Sequence, residues 1–187
     1  MRMIKYHNKY RIPSARLENW DYGANGAYFI TICIKDRLHY FGEVANNNML
    51  MNEAGQLAMQ YWVEIPKHFS YVELGNFIIM PNHIHGILII NKTADYVRED
   101  NSYVVVDAPP KTGGFAGDNS PMLNDNISRI LRWYKGRSAF EIHKINNQFN
   151  WQPRFHDHII RNAQSFEIIQ NYIETNPQNW GKDKFYS

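Results

Sequence analysis

The spacing of apolar positions along the chain alternates between a two-residue and a helical period. Residues 26–37, "GAYFITICIKDR", are rich in β-branched and aromatic side chains and predict a first strand. "HYFGEVANNNMLMN" follows as a hairpin turning at Asn46 to Asn48. From Glu53 to His68, "EAGQLAMQYWVEIPKH" sets Leu57, Tyr61 and Ile65 on one helical stripe, with Asn52 as its cap. "YVELGNFIIM" and "HIHGILII" are two more strands, broken near Pro81-Asn82. Residues 124–145 carry Ile127, Ile130, Leu131 and Tyr134 at helical spacing, with Gly136 as an internal weak point. "FNWQPRFHDHIIR" predicts another strand. "AQSFEIIQNYIETNPQNW" predicts a last helix, striped by Phe166, Ile169 and Ile173, that Pro177 stops.

With the hairpin set aside, the order is βαββαβ plus a terminal helix. The predicted fold class is therefore α+β: a ferredoxin-like βαββαβ antiparallel sheet with helices on one face, an N-terminal hairpin extension and an additional C-terminal helix. Residues 91–121 mix Gly, Pro, Asp and Asn without periodicity and read as a flexible loop inserted into one domain, 1–187, whose core is 26–180. No internal repeat is present.

Composition sharpens the class more than the chemistry. A chain of 187 residues, 44% hydrophobic and 14% aromatic, can close one core and is not a disordered chain. Its single cysteine, Cys33, excludes an intrachain disulfide and reads as a buried thiol. The apolar run "AYFITICI" is too short to cross a bilayer and the start of the chain lacks a signal-peptide pattern, so no membrane association and a cytoplasmic location are expected. The net charge of +2 is too small to imply a polyanionic partner. Locally, Arg2, Lys5, Lys9, Arg11 and Arg16 face only Glu18 within residues 1–20. Arg129, Arg132, Lys135, Arg137, Lys144, Arg154 and Arg161 outnumber Asp125, Glu141 and Asp157 within residues 124–162. These segments line one phosphate-binding surface or are ordinary solvated faces; charge alone does not choose.

Two sets of side chains carry candidate chemistry. In "HIHGILII", strand alternation points His83 and His85 the same way, Cα atoms roughly 6.5–7 Å apart, and Ile84 the opposite way. The rings can converge on one divalent ion, although a lone HxH pair also fits hydrogen-bonded structural histidines. On the last helix Tyr172 and Asn176 stand four residues apart on one face, a nucleophilic phenol and a hard oxygen ligand. Taken singly they are an edge-of-core tyrosine and a helix-end asparagine before proline. His156 and His158, in "FHDHII", form a rival pair that with the first two would build a zinc site, but no acidic ligand or general base stands at a recognisable spacing.

The stretches "VELGNFIIMPNHIHGILII", "WQPRFHDHIIRN" and "NYIETNPQNW" resemble, in that order, the transposase family with a His-hydrophobic-His (HUH) motif and a single catalytic tyrosine. The nearest branch is that of the REP-associated tyrosine transposases (RAYT), to which "DYGANGAYFITICIKDRLHYFGEV" is also similar, so the resemblance covers most of the chain outside 91–121. It implies that His83 and His85 are metal ligands, that Tyr172 is the nucleophile on a catalytic C-terminal helix, and that Asn176 completes the metal site. His158 and Arg161 match positions with a supporting or DNA-contacting role, whereas His156 matches no family histidine. The implied chemistry is attack by Tyr172 on a phosphodiester polarised by Mg²⁺ or Mn²⁺, leaving a 5′-phosphotyrosine link and a free 3′-hydroxyl, with no nucleotide cofactor. The implied substrate is a single-stranded DNA hairpin with a short flanking guide. Arg129, Arg132, Lys135 and Arg154 would contact its phosphates. Trp133, Tyr134, Trp151 and Phe155 would stack on unpaired bases or, as such aromatics more often do, pack in the core. The short link from Arg161 to Ala163 gives the last helix little reach and favours a monomer with its site in cis. Two other classes remain: a domesticated hairpin-binding module without chemistry, and a zinc hydrolase using His156 and His158.

Overall fold

A computed structural model describes residues 20–93 and 125–186, preceded by a two-stranded ladder of β1 (Lys5–Tyr6) and β2 (Lys9–Tyr10). Arg2, Arg11, Arg16 and most of the predicted 91–121 loop lie outside the described residues. The chain then forms β3 (Gly26–Cys33), the hairpin β4 (Gly42–Ala45) and β5 (Asn48–Met51), and helices α1 (Glu53–Val63) and α2 (Ile65–His68). Strands β6 (Val72–Met80) and β7 (His83–Ile90), helix α3 (Ile127–Ile142), strand β8 (His156–Ile160) and helix α4 (Ala163–Thr175) complete it. The main sheet is antiparallel, in the order β6-β7-β3-β8.

Strand β7 is flanked on both edges and covered on both faces, which is why its sequence is a continuous apolar run and not a polar-apolar alternation. Tyr28, Ile30 and Ile32 of β3 and Ile84, Leu88 and Ile90 of β7 join α1 and α3 in the larger core. The alternate residues, among them Phe29, Ile87 and Ile89, meet Phe166, Ile169 and Ile173 of α4 on the other face. The two crossover helices thus share one face, as expected, and the terminal helix takes the opposite one.

Gly86 sits where α1 comes closest to the sheet. A Cβ there would collide with Trp62 Cζ2 and lie 3.0 Å from Phe77 Cβ. Trp62 is fully buried and meets the Tyr134 ring edge-on at 5.2 Å, and Tyr134 Oη donates to the Ala58 carbonyl at 3.0 Å, locking α1 to α3. Each long helix starts on an asparagine: Asn52, Asn126 and Asn162 side chains accept from Gly55 N, Ser128 N and Ser165 N.

Four departures from the sequence reading have local causes. The first strand ends at Cys33 because Asp36 and Arg37 both take φ of 56°, turning the chain through a 3₁₀ segment at Lys35–Arg37. The helix expected over residues 53–68 breaks at Glu64, since Pro66 has no amide hydrogen to continue the ladder. Of the expected stripe, Tyr61 and Ile65 are buried but Leu57 only half-buried, because the buried side is broader and includes Ala58 and Trp62. The hairpin lies between the first strand and first helix, as expected, but its turn is two residues long, Asn46 and Asn47, whose φ values of 51° and 60° suit a tight loop, and Asn48 already pairs with Ala45. Among the described residues no helix is long and apolar enough to cross a membrane.

Gly86→Ala is expected to destabilise the protein by roughly 1–3 kcal/mol through overpacking against Trp62. Gly136, which faces open space on α3, should give the opposite sign, Gly136→Ala stabilising by roughly 0.5–1 kcal/mol. Urea unfolding of both variants checks the pair.

Candidate active site between the sheet and the last helix

The β3–β7 register places His83 opposite Cys33 and His85 opposite Thr31, with both imidazoles buried on the α4 side. Helix α4 lies over them, its apolar stripe seated on the sheet and its Tyr172–Asn176 face turned to the histidines. Tyr172 Oη is 3.1 Å from His85 Nε2, and Tyr172 and Asn176 both donate to Asp183 Oδ2, at 3.0 and 2.8 Å. All four residues singled out in the sequence are therefore brought together. Asp183 was not anticipated. It follows the 3₁₀ segment Pro177–Lys182 and carries no periodic signal.

Hydrogen bonds assign the ring nitrogens. Asn82 Nδ2 donates to the Arg37 and Phe185 carbonyls at 3.2 and 2.9 Å, so its Oδ1 is the atom facing His83 Nδ1 at 2.8 Å. That oxygen can only accept, so His83 carries its proton on Nδ1 and presents a bare lone pair on Nε2. His83 Nε2 is buried and has no hydrogen-bond partner among the described residues, and the same is true of Asn176 Oδ1. Two buried lone pairs without donors, one nitrogen and one hard oxygen, are what a divalent cation would satisfy. His85 Nδ1 meets Thr31 Oγ1 at 2.8 Å, a partner that can donate or accept and so lets the ring change tautomer. His83, His85 and Asp183 each offer a ligand atom within 4.8 Å of the others, and no other such three-residue cluster occurs among the described residues.

Burial pushes the His83 pKa down to about 4, with Arg37 and Lys184 acting in the same direction against Asp183. Burial likewise holds His85 well below its ordinary value, helped by His83. Both rings are neutral near pH 7, the form in which an imidazole can bind a metal. Tyr172 moves the other way: burial, then the Asp183 carboxylate, raises its phenol above the ordinary value.

The remaining candidates lie elsewhere. His156 and His158 are exposed on β8, on the same sheet face as His85 but two strands away, roughly 10 Å at the usual strand spacing, and they do not join the cluster. Arg161 is exposed at the end of β8. Arg129 and Arg132 lie on α3, in the layer beyond the sheet, where Arg129 pairs with Asp125. Lys135 donates to the Gln152 and Arg154 carbonyls, which ties it to the loop before β8. Tyr134 is buried, and Trp133, Trp151 and Phe155 pack against the larger core, the commoner of their two expected roles. The Cys33 thiol is buried, and that burial raises its pKa to about 11.

No family model matches the chain. An uncharacterised protein of Haemophilus influenzae is 33% identical over 175 residues, 92% of each chain. Among solved structures, a REP-associated tyrosine transposase bound to a REP hairpin superimposes with a TM-score of 0.58 at 18% identity, covering 92% of this chain and 77% of that one.

Because His83 gains its proton near pH 6.5 when unfolded but only near 4 when folded, the unfolded state binds more protons between those values, and stability falls as pH drops through that window. Denaturant unfolding of metal-free protein at pH 7, 6 and 5 should show this fall, and His83→Gln should flatten its slope by up to one proton. An unchanged slope in the variant counts against a buried neutral His83.

Proposed function

We propose that this chain, which belongs to one family with the Haemophilus influenzae protein and has the fold of the REP-associated tyrosine transposases, nicks and rejoins single-stranded hairpin DNA through Tyr172. The observation carrying this reading is the Tyr172 phenol set 3.1 Å from His85 Nε2, beside the unpartnered lone pairs of His83 Nε2 and Asn176 Oδ1. A nucleophile stands next to neutral donors suited to Mg²⁺ or Mn²⁺, and the likeness to a hairpin-bound transposase supports the substrate class.

The chain's own groups divide the work. His83, His85 and Asn176 would hold the ion, which supplies Lewis-acid polarisation of a non-bridging phosphate oxygen. Asn82 keeps His83 in the ligating tautomer, and Thr31 can do the same for His85 by accepting from Nδ1. Tyr172 Oη loses its proton at the open side of α4, where the residue is 37% exposed, and attacks phosphorus. The new O–P bond replaces the bond to the 3′-oxygen, which leaves and takes up a proton as the 3′-hydroxyl. A second 3′-hydroxyl reverses the step without a nucleotide cofactor, because the phosphotyrosine link retains the bond to be exchanged. Arg37 and Lys184, close enough to depress the His83 pKa, add positive potential for the phosphate.

His158, on the site's side of β8, and Arg161, just past the strand's end, would guide the strand next to the scissile phosphate, while Arg129, Arg132 and Arg154 would meet phosphates farther along the hairpin. Since Tyr172 reaches the His85 of its own chain, the reading is a cis-acting monomer working on cytoplasmic DNA.

Labelled single-stranded hairpin DNA from beside the gene, incubated with Mn²⁺ and run on a denaturing gel, should give a protein-linked band that chelator abolishes. Tyr172→Phe should reduce the band to background, and His83→Ala should reduce its rate of formation roughly 10²-fold or more. Hairpin binding without any adduct would favour a catalytically silent binding module. An adduct surviving in Tyr172→Phe would assign the chemistry to another group.

A further inference from the structure

We infer that Asp183 is a fourth, anionic oxygen ligand of the ion held by His83, His85 and Asn176, an assignment that rests on the metal-assisted reading above. The residue comes from beyond the catalytic helix. After Pro177 the 3₁₀ segment folds the chain back across the sheet, and the backbone on each side of Asp183 is pinned over the histidines. Trp180, whose carbonyl accepts from Asp183 N at 3.0 Å, is buried with its ring 5.8 Å from that of His83. Phe185 is buried with its ring 4.8 Å from His83 and 5.6 Å from His85, and its carbonyl accepts from Asn82.

This anchoring fixes which carboxylate oxygen faces the site. Oδ1 accepts from the Phe185 backbone N–H at 2.7 Å. Oδ2 is left facing Asn176 Nδ2 and Tyr172 Oη. Both donors are neutral, and none of the ion pairs among the described residues includes Asp183. The ligand atoms of His83, His85 and Asp183 already lie within 4.8 Å of one another. Neighbouring ligands of a six-coordinate ion with bonds of about 2.1 Å stand about 3.0 Å apart and opposite ones about 4.2 Å, so the three side chains would draw inwards by up to about 1–2 Å to close on one ion.

Charge points the same way. Two neutral imidazoles and a carboxamide would leave a divalent ion uncompensated in a buried site, whereas a carboxylate supplies the missing negative charge. It also tilts the donor set towards oxygen, which favours Mg²⁺ and Mn²⁺ over softer ions. Asn176 and Asp183 would then be a pair of ligands from the two sides of the α4 terminus, held together by their own hydrogen bond.

The test needs no DNA. Full-length wild type, Asp183→Asn and Tyr172→Phe are titrated with Mn²⁺, following the electron paramagnetic resonance signal of the free ion. Asp183→Asn should bind about tenfold or more weakly, while Tyr172→Phe stays within about threefold of wild type. Asp183→Cys loaded with Co²⁺ should acquire a thiolate-to-metal charge-transfer band absent from wild type, whose one thiol, Cys33, is buried. That band separates ligation from a role confined to orienting Asn176. Equal Mn²⁺ affinity in wild type and Asp183→Asn overturns the assignment alone, as does Co²⁺ bound to Asp183→Cys without the band. Failure of wild type to take up Mn²⁺ overturns the metal-assisted reading and this assignment together.

Discussion

The site depends on one constraint, the burial of β7 on both faces and both edges. A strand so placed can accept a polar side chain only where its hydrogen-bonding atoms are answered, and it sends alternate residues to opposite layers. The register that runs from Gly26 opposite Ile90 to Cys33 opposite His83 sends the imidazoles towards α4, and Ile84 and Gly86 towards α1 and α3. A slip of one residue would present Ile84 to the last helix and press histidines against Trp62. Gly86 reinforces the choice, because only a residue without Cβ fits beneath that indole. Packing on one face of the sheet therefore sets the geometry of the two imidazoles on the other.

The two layers are not held equally. Seven residues of α3 are buried, but Ile173 alone is fully buried on α4, whose remaining apolar contacts, Phe166 and Ile169, are partial. Polar links from Asn76 of β6 to Glu174 and Gln170 supplement them at the exposed edge. A helix with so little buried surface belongs to the less stable part of a fold, where local movement has a small cost. Tyr172 is carried there, whereas His83 and His85 are on the most deeply buried strand. Under the proposed function this division would keep the histidines pre-organised while leaving Tyr172 access to a bulky strand of DNA.

Sequence periodicity revealed what depends on neighbours within one element. The strands, the helical stripes, the paired orientation of His83 and His85, and the shared face of Tyr172 and Asn176 all follow from spacings of two to four residues. Asn82 was legible only as a turn residue, because its bond to His83 requires the Arg37 and Phe185 carbonyls to fix the carboxamide. Asp183 was illegible, since its place is decided by the direction in which the 3₁₀ segment leaves α4, and no hydrophobic pattern encodes that direction. Charge counts are legible only as totals. The excess of basic residues over 124–162 includes Arg129 and Arg132 in the far layer and Lys135 spent on loop carbonyls, because a running total along the chain carries no information about faces.

The same physical chemistry sets where the protons of the site lie. Burial and the Asp183 charge keep the Tyr172 proton in place, and the single phenol hydrogen cannot serve Asp183 Oδ2 and His85 Nε2 at once. With the hydrogen on the carboxylate side, His85 Nε2 must itself carry a proton to donate to Oη, and Thr31 then donates to Nδ1. Ligation by His85 Nε2 needs the opposite tautomer, with Nδ1 donating to Thr31. Asp183 loses its hold on the phenol proton to the extent that its charge is shared with a cation. The hydrogen-bond chain Thr31–His85–Tyr172–Asp183 thus has two mutually exclusive proton arrangements. The one that releases the Tyr172 phenol from Asp183 is also the one in which both histidines present lone pairs, as the proposed function would require.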